Sequence, residues 1–220
     1  MGTPATEYAK VIRWCAPSTV YGIKTTITLP TQASIGGSNG NGFINFYLAV
    51  IGSSTGYECG LSTYKSKADE DKWHWFWNTG SANDGGSYNI AGSAAVPVEL
   101  SINASKTLNF KVNGTVVKTF VGATGTFSSL TSARLIIAAC DQDFGSNVPS
   151  PLPNWNTLHY QVTCSNIQYR NSSGTWVTIS GSPDPTEFWP TPSASHPHTG
   201  TPADYTRSVS TGKIIASLKR

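Results

Sequence analysis

The sequence predicts an all-β protein folded as a two-sheet antiparallel β-sandwich. Strand-like runs recur along the whole chain, clusters of Gly, Ser, Asn and Pro separate them, and no segment sustains helical periodicity. With 220 residues and 38% hydrophobic content, one large sandwich has the apolar material for an ordinary core.

Taken in order, the runs place strands near Tyr8–Cys15, Tyr21–Leu29, Phe43–Ile51, Tyr57–Tyr64, Lys72–Trp77 and Val98–Ile102. Further strands are expected near Thr107–Val112, Thr115–Val121, Arg134–Cys140, Thr157–Tyr169 and Thr175–Ile179. The clearest hairpin turns at Asn113-Gly114, a pair suited to the positive φ angles of a type I′ turn. That turn sets the register, so Leu108, Phe110 and Val112 share one side while Asn109 and Lys111 share the other. From about Gly181 the texture changes, because Pro183, Pro185, Pro190, Pro192, Pro197 and Pro202 each remove a backbone donor. The expected organisation is therefore a β-sandwich domain over 1–180 and a Pro-rich extended segment over 181–220. That segment either packs on the sandwich or serves as a linker, with 212–220 forming a short helix or strand.

Charged residues make up only 12%, and the net charge of +3 forms no Lys/Arg run before the last few residues. The long-range field that nucleic acid requires is missing, which argues against a nucleic-acid partner. No apolar run approaches the ~20 residues of a membrane span. A surface rich in Ser, Thr, Asn and Gly suits a secreted, extracellular protein. Met1-Gly2-Thr3-Pro4 shows neither a basic nor an apolar leader region, so an exported form would have lost its signal peptide before this start. Cys15, Cys59, Cys140 and Cys164 lie far apart with no CxxC pair, which favours disulfides over a zinc site. Of three connectivities, Cys15 with Cys164 and Cys59 with Cys140 is preferred, since the first and last strands of a sandwich commonly lie side by side. Four buried thiols are the alternative.

The run from Thr107 to Phe120, a strand, an Asn-Gly turn and a strand ending in Phe, resembles the hairpin of laminin-G-like and related concanavalin A-like lectin/glucanase domains. The resemblance covers roughly residues 8–180 and implies a jelly-roll sandwich. Glu58-Cys59-Gly60-Leu61 followed by Trp73-His74-Trp75-Phe76 is similar to the Gln-x-Gly-Val and Trp-Tyr-Glu-Trp strands of the glutamic peptidases. Here Glu58 stands at the Gln position and Trp75 at the Glu position, so the resemblance implies no catalytic pair. The Glu-x-Asp-x-x-Glu cluster of sandwich glucanases and the alginate-lyase signatures have no counterpart.

Alternation assigns side chains to faces. Ile44, Phe46, Leu48 and Val50, with Cys59 and Leu61, make a core set that turns Asn45, Tyr47, Glu58, Gly60 and Ser62 outward. On the next strand Trp73, Trp75 and Trp77 point one way and His74 and Phe76 the other, and either set can be the buried one. With the Trp set outward, Asn45, Tyr47, Glu58, Trp73, Trp75 and Trp77 form an aromatic platform with a carboxylate and an amide, the composition expected of a carbohydrate groove. With the Trp set inward, the rings are core.

Asp141, Asp143 and Asn147 follow a strand at a spacing that suits oxygen ligation of Ca2+, or an Asx-rich turn. Asp69-Glu70-Asp71 reads as a solvated turn, and the four histidines show no zinc spacing. The leading expectation is a non-catalytic carbohydrate-binding or cell-surface recognition sandwich whose partner is a glycan. The alternatives are a glycoside hydrolase or polysaccharide lyase, pairing Glu58 with Glu99, Asp141 or Asp143, and a structural coat or matrix protein.

Overall fold

The computed structural model describes residues 8–16, 19–31, 43–51, 55–64, 72–122, 127–141, 160–181, 187–189 and 205–218. Among them all regular structure is strand. The first strands are β1 (Tyr8–Cys15), β2 (Gly22–Thr28), β3 (Phe43–Ile51), β4 (Gly56–Tyr64) and β5 (Lys72–Asn78). Next come β6 (Asn83–Gly85), β7 (Ile90–Ala91), β8 (Ala95–Ile102), β9 (Leu108–Val112), β10 (Thr115–Phe120) and β11 (Ser132–Asp141). The last are β12 (Tyr160–Arg170), β13 (Trp176–Thr178), β14 (Glu187–Trp189), β15 (Tyr205–Ser210) and β16 (Lys213–Leu218).

They form two antiparallel sheets. The first runs β14-β1-β11-β3-β4-β5-β6 with β7 on β5, and the second runs β10-β9-β8-β2-β12-β16-β15 with β13 on β12. The inner faces interdigitate as the alternation requires: Ile44, Phe46, Leu48 and Val50 of the first sheet and Leu100, Leu108 and Phe110 of the second are at most 1% exposed. The hairpin β9–β10 turns at Asn113 and Gly114, with φ of 51° and 79°, and pairs Val112 with Thr115. Both angles are the left-handed values a type I′ turn demands.

The cysteine pairing is corrected. Cys59 and Cys164 are buried, unbridged thiols. Cys15 alternates with the buried Ile12 and Trp14 and so points away from the core, whereas Cys164 lies inside the opposite sheet. Cys59 is opposite Leu48 and Cys140 opposite Phe43, which separates them by five residues, about 17 Å, along β3. Burial pushes the Cys164 thiol up to about 12. Burial, then the nearby Glu58, raises that of Cys59.

The C-terminal segment contributes three strands. β14 pairs with β1 at the edge of the first sheet, and β16 pairs with β12 and carries β15 in the second. The sheets therefore continue past residue 180, and Ile214 and Ala216 are core residues.

Candidate functional site

The outer face of the first sheet is a grid set by strand register. One row across β1, β11, β3, β4 and β5 reads Cys15, Arg134, Ala49, Glu58, Asn78. The next reads Arg13, Ile136, Tyr47, Gly60, Phe76, and the third Val11, Ala138, Asn45, Ser62, His74. Gly60 has no side chain, and Tyr47 and Phe76 close over it edge to face, their centroids 5.9 Å apart. An apolar floor lies beside them, in which Phe43, Ile136 and Ala138 are buried against Val11, Tyr47 and Ala49.

Polar groups frame this floor. Asn78 donates from Nδ2 to Glu58 Oε2 at 3.2 Å. Arg134 stands two strands from Glu58, about 10 Å across, with only the Ala49 methyl between them. Its Nε is buried and among the described residues has no hydrogen-bond partner, and neither has the buried Oδ1 of Asn45. A buried polar atom left unpaired costs about 1–3 kcal/mol, so both atoms are candidates for pairing with a bound group.

His74 stacks on Tyr88 at 4.2 Å. Burial holds its pKa below the ordinary histidine value, opposed by a backbone hydrogen bond at Gly86. The unfolded chain takes up this proton more readily than the folded one. The contribution to stability is thus fully present above ~6.5 and is lost as pH falls from there through the folded value. An NMR titration should find the His74 midpoint below that of an unfolded reference, and His74→Phe should flatten the acid side of the stability profile. A His74 midpoint at or above the reference would refute this.

The expected ligand residues divide. Asn45, Tyr47 and Glu58 share the outer face. Trp73, Trp75 and Trp77 do not: Trp73 is 0% and Trp77 9% exposed, and Trp75 packs partly buried against the same core. Cross-strand neighbours share a face, and Trp77 and Trp75 lie opposite the inward Cys59 and Leu61. The platform of the outer face is instead Tyr47 with Phe76, beside His74. Arg134 and Asn78 complete the set. Arg134 had a visible signal, a lone charge inside the apolar run Ala133-Arg134-Leu135-Ile136-Ile137-Ala138.

Of the calcium candidates, Asp143 and Asn147 lie outside the described residues, and Asp141 closes β11. Among the described residues no three metal-ligating side chains gather. Glu99 cannot join Glu58, because it sits on the outer face of the opposite sheet. There its Oε1 accepts from Lys111 Nζ at 3.0 Å and Ser101 Oγ at 2.6 Å, in a groove of about 440 Å³. Among the described residues no helix is long and apolar enough to cross a membrane.

Fold and face together define an all-β jelly-roll-type sandwich with an aromatic and mixed-charge surface on one sheet. No protein-family model and no curated protein sequence matches the chain. Among solved structures, Scytalido-glutamic peptidase with a peptide-based transition state analog is similar over 97% of this chain and 99% of that one, with TM-score 0.57 and 12% identity. SCP-B, a member of the eqolisin family of peptidases in complex with the tripeptide Ala-Ile-His, is similar over the same shares with TM-score 0.55 and 12% identity. Both likenesses show the shared fold. A Bacillus licheniformis beta-glucanase matches over 59% of this chain and 58% of that one at TM-score 0.36 and 10% identity, which adds nothing to the assignment.

Proposed function

We propose that the outer face of the first sheet is the carbohydrate-recognition surface of an exported protein, one that binds its ligand without turnover. The observation that carries this reading is the Tyr47–Phe76 pair closed over Gly60 and framed by Asn45, Ser62, Asn78, Glu58 and Arg134. Sugars offer C–H faces to rings and hydroxyls to a few fixed polar groups, and this surface supplies both. The low charge content and hydroxyl-rich composition support an extracellular setting.

A glycan array, run with and without calcium and followed by reducing-sugar assays on every hit, tests the reading. Retention without release of reducing ends is expected, and Phe76→Ala should weaken it about tenfold, the equivalent of roughly 1.4 kcal/mol, with folding retained. Unchanged retention in that variant would remove the aromatic pair from the site.

A hydrolase on the same face is the second reading, favoured by one observation: a hydrogen bond from Asn78 fixes the Glu58 carboxylate on the β5 side of the grid. The full-length likeness to peptidases crystallised with peptide ligands extends that reading to peptide substrates. Turnover of a glycan or peptide, abolished by Glu58→Gln, would establish it. Silence in every arm would point to a coat or matrix role.

A further inference from the structure

We infer that the ligand of this face is an anionic glycan carrying carboxylate groups, a uronate-containing chain, with one carboxylate seated on Arg134. The inference rests on the carbohydrate reading above and names the class of sugar.

Arg134 occupies the middle of β11, where its neighbours in the strand are Ala133 and Leu135 and its cross-strand partners Cys15 and Ala49. Among the described residues it makes no hydrogen bond and no ion pair, although its Nε is buried. A guanidinium presents coplanar N–H groups in a fixed fork, which a carboxylate fills with two parallel hydrogen bonds. The group that would complete Arg134 is therefore a planar, singly charged acceptor. The Glu58 carboxylate on the same row disfavours a more highly charged ligand, because like charges about 10 Å apart on a partly desolvated face repel.

The second orphan has the opposite sense. Asn45 Oδ1 needs a donor and lies four residues along β3 from Ala49, about 13 Å from the arginine row. A hydroxyl further along the same chain supplies it. Between the two points stand Tyr47 and Phe76, where a sugar ring has an apolar face to lie on. Acceptor, ring and hydroxyl in that order describe an extended acidic saccharide.

The test measures binding of alginate and polygalacturonate oligosaccharides, of their carboxyl-reduced neutral counterparts, and of a sulfated oligosaccharide, by calorimetry on the full chain. Uronate chains should bind at least tenfold tighter than the reduced ones, and the preference should weaken with salt. Arg134→Met should abolish the preference while leaving residual binding to the neutral chain. It should also melt at or above the wild-type temperature, because it removes a buried Nε that has no hydrogen-bond partner among the described residues. Arg134→Lys should retain the charge and lose most of the preference, since an ammonium cannot form the paired contact. Equal binding of acidic and reduced chains, unaffected at Arg134, would overturn the carboxylate assignment and leave the carbohydrate reading standing. Tighter binding of the sulfated chain would overturn the assignment in favour of a sulfate. Failure of every saccharide would overturn both readings together.

Discussion

Trp73→Ala is expected to lower stability by about 3–5 kcal/mol, the range for truncating a large buried aromatic. For a chain of this size that corresponds to a fall in melting temperature of roughly 6–20 °C. The ring is 0% exposed and stacks on Phe46 at 5.4 Å and 22° in the core between the sheets. Phe46 in turn meets Tyr160 of the opposite sheet edge-on at 5.4 Å, so removal of the indole opens a cavity that both sheets border. The Trp73 indole N–H is buried without a hydrogen-bond partner among the described residues. Trp73→Phe should therefore cost much less, because it keeps a stacked ring and deletes a donor left unsatisfied. Thermal and urea denaturation of the two variants checks this, and a Trp73→Ala protein melting within a couple of degrees of wild type would contradict the inward assignment. The contrast with Phe76→Ala separates the faces of β5: one substitution should destabilise the fold, the other should weaken the ligand contact.

Gly60→Ala should be nearly as damaging through the opposite fault. A Cβ at this position would press against the Phe46 carbonyl oxygen and the Tyr47 backbone, with Tyr47 Cα 2.5 Å away. These are backbone atoms of β3, so relief requires β3 and β4 to part, and a cost of about 3 kcal/mol or more follows from overpacking a close strand pair. The same methyl would lift Tyr47 from Phe76, so ligand retention should fall along with stability. Gly56 of the same strand is the internal control: a Cβ there meets nothing within 4 Å, and Gly56→Ala should be tolerated. Denaturation of both variants, with glycan retention measured well below their melting points, checks the pair. A Gly60→Ala protein as stable as Gly56→Ala would show that the strand spacing is wrong.

The two variants also mark where sequence reasoning stops. Alternation resolves β3 and β4 because one parity set in each is plainly apolar, Ile44, Phe46, Leu48 and Val50 in one and Cys59 and Leu61 in the other. In β5 both parity sets are aromatic, so hydrophobicity carries no sign. The register against β4 decides, opposing Trp77 to Cys59 and Phe76 to Gly60. Likewise the strands β6, β7 and β14 have little pattern of their own, and exist because they dock on the edges of longer strands that already have one.

The amino-acid order alone determined the strand-rich class, most strand positions, the Asn113-Gly114 turn and the outward facing of Asn45, Tyr47 and Glu58, because each of these follows from local backbone preference and a period of two. Only the tertiary structure decided that the tryptophans of β5 are core, that Cys59 and Cys164 stay unbridged, that Glu99 and Glu58 face away from each other, and that Arg134 shares a row with Glu58. Those facts depend on which strands lie side by side and in what register. That is settled by how two apolar faces fit together over long sequence separations, where no local pattern reaches.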